Sequence, residues 1–161
     1  MKKTILLFAC TLIFSCTKND TPNYGGVNES GAWFYVKDSQ GNNLVDPNTP
    51  NAYKENEIKI YHIINGVEKL MYDSNLDNPK FFTITQEDGL YKFGLGMSLD
   101  SSVDYPISYI QWNDTDRDTI KTEYLREQGS VIKQKIWFND QLVWEHEFGK
   151  DDYDETISII K

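Results

Sequence analysis

From Ala32 onward, apolar and polar positions alternate in short runs of 5 to 9 residues, rich in β-branched and aromatic side chains and broken by turn residues. That period of two, punctuated by turns, is the pattern of half-buried strands. "AWFYVK" reads as a first strand closed by "DSQGNN". "EIKIYHII" and "VEKLMY" flank Asn65-Gly66, a strong hairpin pattern because both residues accept positive φ. "KFFTIT" and "LYKFGLGM" surround a turn over Gln86-Glu87-Asp88-Gly89. "YPISYIQW", "DTIKTEYLR", "VIKQKIWF" and "QLVWEHEF" follow, the last two joined at Asn139-Asp140, and "ETISIIK" is a candidate terminal strand. No stretch carries a helical stripe.

The expected fold class is therefore all-β: an antiparallel immunoglobulin-like β-sandwich of eight or nine strands. The consecutive hairpins fit a second architecture as well, a lipocalin-like meander barrel. The segment "DSQGNNLVDPNTPNAYKEN" is a 19-residue connection, long for a compact domain, and such loops are usually functional or mobile.

The first residues break the alternation. In "MKKTILLFACTLIFSC", Lys2 and Lys3 precede an apolar run of 11 residues, Thr4 to Phe14. A spanning helix takes about 20 apolar residues, so the run reads as a secretory signal peptide. Ile13-Phe14-Ser15-Cys16 resembles the lipobox of bacterial lipoproteins. That resemblance implies cleavage after residue 15 and acylation of Cys16. Leu7-Phe8-Ala9-Cys10 is a competing box, but it leaves an apolar run of only about six residues, below the usual range. The alternative to both is an ordinary secreted protein with a leftover cysteine. The expected organisation is a signal peptide over 1–15, a lipidated cysteine with a flexible tether over 16–31, and one domain over 32–161. "TKNDTPNYGGVNESG" has a linker's composition, and Lys18 and Asp20 in it resemble the short charged export signals of Bacteroidetes-type surface lipoproteins.

Composition narrows the function classes. The chain has 161 residues, which suits one core and no second, and carries a net charge of −9. Cleavage would remove two of 16 basic residues and no acid, leaving 14 against 25 acidic residues and a net −11. That balance argues against nucleic-acid binding, which needs a basic footprint, and against lying flat on anionic lipid. With Cys10 removed and Cys16 acylated, no disulfide, thiol nucleophile or cysteine metal site remains.

"FYVKDSQGNNLVDP", "IKIYHIINGVEKLMY" and "YIQWNDTDRDTIKTEY…IKQKIWFNDQLVWE" together resemble small cell-envelope lipoproteins of Bacteroidetes-type bacteria, over most of residues 33–148. The resemblance implies a β-sandwich at the envelope and no particular activity.

Chemistry-bearing motifs are sparse. There is no G-x-S-x-G, and His62 and His146 both fall inside strands. "WEHEF" is not the helical zinc-protease motif, since on a strand Glu145 and Glu147 face away from His146. Asp114, Asp116 and Asp118 have the alternate spacing that opens a calcium loop, but Thr119 stands where that loop needs glycine, and Arg117 sits among the ligands. "DDYDE" at 151–155 reads as a solvated acidic segment. Tryptophan is the remaining lead, because a flat exposed ring stacks on the C–H face of a sugar without a deep cleft. A two-residue turn at Asn139-Asp140 would place Trp137 opposite Leu142 and Trp144 diagonally beyond, on a face shared with Lys133, Lys135 and His146. Trp112 ends a strand beside the acidic turn, and Trp33 starts the first strand.

The expectation is a lipid-anchored, non-catalytic binding or accessory module in the outer membrane, facing the periplasm or the cell surface. Its ligand would be a glycan or an envelope protein, at Trp137, Trp144 and Trp112, with no cofactor. A structural subunit of a surface assembly and a small hydrolase are the alternatives.

Overall fold

The computed structural model describes residues 26–146 and 156–161. Cys16, its leader and the acidic segment 151–155 lie outside them. The described residues form ten strands: β1 (Gly31–Lys37), β2 (Lys59–Ile64), β3 (Val67–Leu70), β4 (Phe82–Glu87), β5 (Leu90–Gly96), β6 (Ile107–Gln111), β7 (Arg117–Glu127), β8 (Ser130–Phe138), β9 (Gln141–Glu145) and β10 (Thr156–Ile160).

They form two sheets, a four-stranded one ordered β10-β1-β5-β4 and a six-stranded one ordered β3-β2-β6-β7-β8-β9. The architecture is that of a β-sandwich. Neither sheet closes on itself, because β1 pairs with β5 and β10 rather than with β2, so the meander barrel is not formed. The strands number ten rather than eight or nine. The additional one is β10, which lies parallel to β1, with Phe34 beside Ile157 and Val36 beside Ile159.

Alternation sets the core. Ala32, Phe34 and Val36 of β1, Phe93 and Leu95 of β5, and Ile157 and Ile159 of β10 are buried on one side. Ile60, Ile110, Ile120 and Ile136 face them from the six-stranded sheet. Each of these side chains larger than alanine contributes about 1.5–3 kcal/mol by leaving water. The hairpins close on residues with positive φ: Asn65-Gly66, Asp88-Gly89, Gln128-Gly129 and Asn139-Asp140. The predicted four-residue turn at 86–89 is thus tighter, with Gln86 and Glu87 belonging to β4.

The 19-residue connection 38–56 is pinned to the body. Leu44 N–H donates to Val36 O and Tyr53 N–H to Leu44 O, Val45 is buried, and the Tyr53 ring stacks on Trp112 at 4.8 Å. Residues 27–29, which composition assigns to the tether, bond to β8 through Glu29 N–H and Val131 O and through Val131 N–H and Val27 O.

Candidate functional site

Trp33 lies on the outer face of the four-stranded sheet, because its neighbours Ala32 and Phe34 point inward. Its register partner on β5 is Gly94. The indole lies over that glycine: a Cβ there would come 2.6 Å from Trp33 Cζ3 and 2.9 Å from Thr83 Cγ2. Any larger residue at 94 would displace the ring. The absence of a side chain on β5 is therefore what lets a half-buried tryptophan lie across the sheet.

Beside the ring runs a groove of about 450 Å³, lined by Trp33, Leu76, Asp77, Asn78, Phe81 and Thr83 among others. That volume is in the range of small-ligand sites. One wall comes from the loop before β4, which folds through Asp73, whose carboxylate accepts from Asn75 N–H and whose own N–H donates to Pro79 O. Asp77 and Asn78 stand exposed at the rim. Phe81 has φ 62°, a strained backbone for a bulky side chain and of a kind that clusters at functional sites. Three contacts hold it: Phe81 N–H donates to Asn78 O at 3.0 Å, Gly96 N–H donates to Phe81 O at 2.8 Å, and the Phe81 ring meets His62 edge-on at 5.6 Å.

His62 is a structural support for this wall. It is buried, with Nε2 3.0 Å from Gly96 O. A carbonyl only accepts, so Nε2 carries the proton. Burial pushes His62 below the ordinary histidine pKa of 6.5, outweighing the Gly96 carbonyl, which pulls upward. The folded chain then binds fewer protons here than the unfolded chain. Stability present above about pH 6.5 is lost as pH falls toward the lowered pKa. In urea titrations, His62→Gln is expected to flatten part of the stability loss as pH falls below about 6.5. An unchanged pH slope in that variant would contradict this.

The residues singled out from sequence are scattered. Trp112 is fully buried in the core, where its Nε1–H donates to Asp118 at 2.6 Å, so it presents no platform. Trp137 is half-buried on the outer face of the six-stranded sheet, paired with Leu142 as expected. Lys121 Nζ sits 4.9 Å from its ring centroid, and Tyr105 meets it edge-on at 5.7 Å. Trp144 does not share that face. The register slips between Ile136 and Trp137, so Trp144 pairs with Ile136, whose side chain points inward, and packs against the core. A second irregularity at Glu123/Tyr124 sends Lys133 inward as well, where its Nζ donates to Gly31 O at 2.6 Å across the sandwich. Lys135 alone of the expected trio is confirmed outside, between Glu123 and Glu145.

The three aspartates do not converge, and among the described residues no group of three metal-ligating side chains forms. Asp114 is exposed. Asp116 accepts from Tyr53 OH at 2.6 Å and from Lys161 Nζ at 2.8 Å. Asp118 is buried and accepts from Trp112, Asn139 and Lys161. The cation between Asp116 and Asp118 is thus an ammonium supplied from beyond β10. Tyr53 is held protonated, its pKa pushed far upward by burial and then by Asp116.

Sequence reasoning placed Trp33 only as the start of a strand. The alternation puts it opposite Ala32, Phe34 and Val36, but only the burial of those three places it on the outer face, and the glycine beneath it and the groove beside it come from β5 and the 73–81 loop. No family model matches the chain, and no curated protein or solved structure is significantly similar to it.

Proposed function

We propose that this protein is a non-catalytic binding module of the cell envelope, held to the outer membrane by acylated Cys16 and taking a glycan on Trp33. The observation that carries the reading is the indole lying over Gly94 beside an open groove. A pyranose ring offers an apolar C–H face and a polar edge. The tryptophan matches the first, and Asp77, Asn78 and Thr83 at the groove match the second. An immunoglobulin-like relationship of the two sheets fits the sandwich packing and the parallel pairing of β1 with β10. The resemblance to Bacteroidetes-type envelope lipoproteins supports the location.

The test is a titration of the protein against a panel of host and microbial glycans, followed by tryptophan emission. A saturable change is expected, with affinity falling about tenfold or more in Trp33→Ala, as for buried aromatic anchors generally, and persisting in Trp137→Ala. Equal affinities for Trp33→Ala and the parent would sink the assignment.

A second reading, a subunit of a surface assembly, draws on the edge strand β3. All four of its residues are exposed, Val67 and Leu70 present apolar surface on it, and Tyr72 lies exposed two residues beyond it. Such an edge accepts an added strand. Concentration-dependent oligomers would favour this reading.

A further inference from the structure

The outer face of the four-stranded sheet continues from Trp33 along β1 to Tyr35 and Lys37. Alternate residues of a strand stand about 6.6 Å apart, a spacing over which a linear saccharide extends to its next rings. Two ammonium groups flank the Tyr35 ring, Lys37 Nζ at 5.5 Å and Lys92 Nζ at 5.7 Å from its centroid. They come from different strands, β1 and β5, and meet over one aromatic ring. Lys92 is tied to Glu87 at 2.6 Å. Among the described residues, Lys37 has no carboxylate in ion-pair range.

Apart from Glu87, and Asp77 at the groove rim, the rest of the face beside Trp33 and Tyr35 is uncharged. Thr83 and Thr85 of β4, Gly94 and Gly96 of β5, and Ser158 of β10 are its outward positions beside Trp33 and Tyr35. Glu87 is the sole acid among the outward strand residues of this sheet. In a chain of net charge −9, the two lysines that meet over Tyr35 are a local concentration of positive charge. Such a concentration favours an anionic partner.

We infer that the glycan taken by this face is acidic: one ring stacks on Trp33, and a carboxylate or sulfate further along the saccharide is received by Lys37 and Lys92 above Tyr35. The inference rests on Trp33 being the sugar platform. It adds the chemical class of the ligand and its direction along β1. The acidic group of the ligand would take the place of the Glu87 carboxylate, whose side chain is 67% exposed, at the Lys92 ammonium, whose side chain is 18% exposed.

The experiment uses the full chain in a sugar-free detergent and four acidic oligosaccharides: galacturonate, mannuronate, hyaluronan and heparin fragments. Each is paired with its carboxyl-reduced or desulfated counterpart. At low salt, at least one acidic member is expected to bind about tenfold tighter than its neutral partner, with the difference shrinking as salt rises. Lys37→Gln with Lys92→Gln should bring the acidic form down to the affinity of the neutral one. Lys37→Arg with Lys92→Arg, which keeps both charges, should retain the preference. Equal binding of acidic and neutral partners, or a preference that survives the double glutamine variant, overturns the acidic assignment and leaves the Trp33 platform standing. Absence of binding by every member in both forms overturns the platform with it.

Discussion

Lys161→Met is expected to destabilise the fold by about 3–5 kcal/mol, the usual cost of stripping one partner from a buried ion pair. The Lys161 side chain is only 11% exposed and that of Asp118 only 7%. The ammonium lies between Asp116 and Asp118, within 5.3 Å of the Tyr53 ring centroid and 5.0 Å of the Trp112 ring centroid. Methionine keeps much of the apolar stem and removes the charge, leaving the Asp118 carboxylate with Trp112 Nε1–H and Asn139 Nδ2–H as its remaining donors. A buried carboxylate with no cation is costly, whereas its neutral amide is not. Asp118→Asn in the Lys161→Met background should therefore recover part of the loss. Denaturant unfolding of the two single variants and the double variant measures both effects and their coupling. A loss below about 1 kcal/mol for Lys161→Met, the range of solvated surface pairs, would show that water reaches the cluster.

Cys16→Ser is expected to move the protein from the membrane fraction to the soluble fraction almost completely. The apolar run of 11 residues before it is too short to span a bilayer. No helix among the described residues is long and apolar enough to cross a membrane. Cleavage before Cys16 would leave a net charge of −11, which disfavours adsorption to anionic lipid. Acyl chains on Cys16 would thus be the main attachment, and two or more are needed for durable anchoring because one is marginal. Cell fractionation followed by detection of the folded domain reads the outcome. An undiminished membrane fraction in the serine variant would refute the anchor.

These two effects come from different levels of the molecule. The cysteine is read from a local pattern of charge, apolar length and residue type. The lysine is isolated at the far end of the sequence from the acidic turn at 114–118, and nothing local marks it. Loop chemistry shows the same division. Asn113 caps its own turn, accepting from Thr115 and Asp116 N–H groups, which composition already suggests. The salt link that neutralises that turn arrives only with β10.

The sequence by itself determined most of the strands and their hairpins. A period of two and residues that tolerate positive φ are local properties, legible over five to nine positions. Which of the two sets in "AWFYVK" faces the core was not legible, because Trp33 and Tyr35 are nearly as apolar as Phe34 and Val36. Only the tertiary structure decided the partition into four and six strands, the parallel seating of β10 on β1, and the faces of Trp144 and Lys133. One extra residue in a strand reverses every side chain beyond it, and the irregularities at Ile136/Trp137 and Glu123/Tyr124 did so. Such slips are selected by what the inserted side chain packs against on a distant element. The candidate site has the same origin: a tryptophan on one strand, a glycine on the next and a loop before a third become one surface only when the sheet assembles.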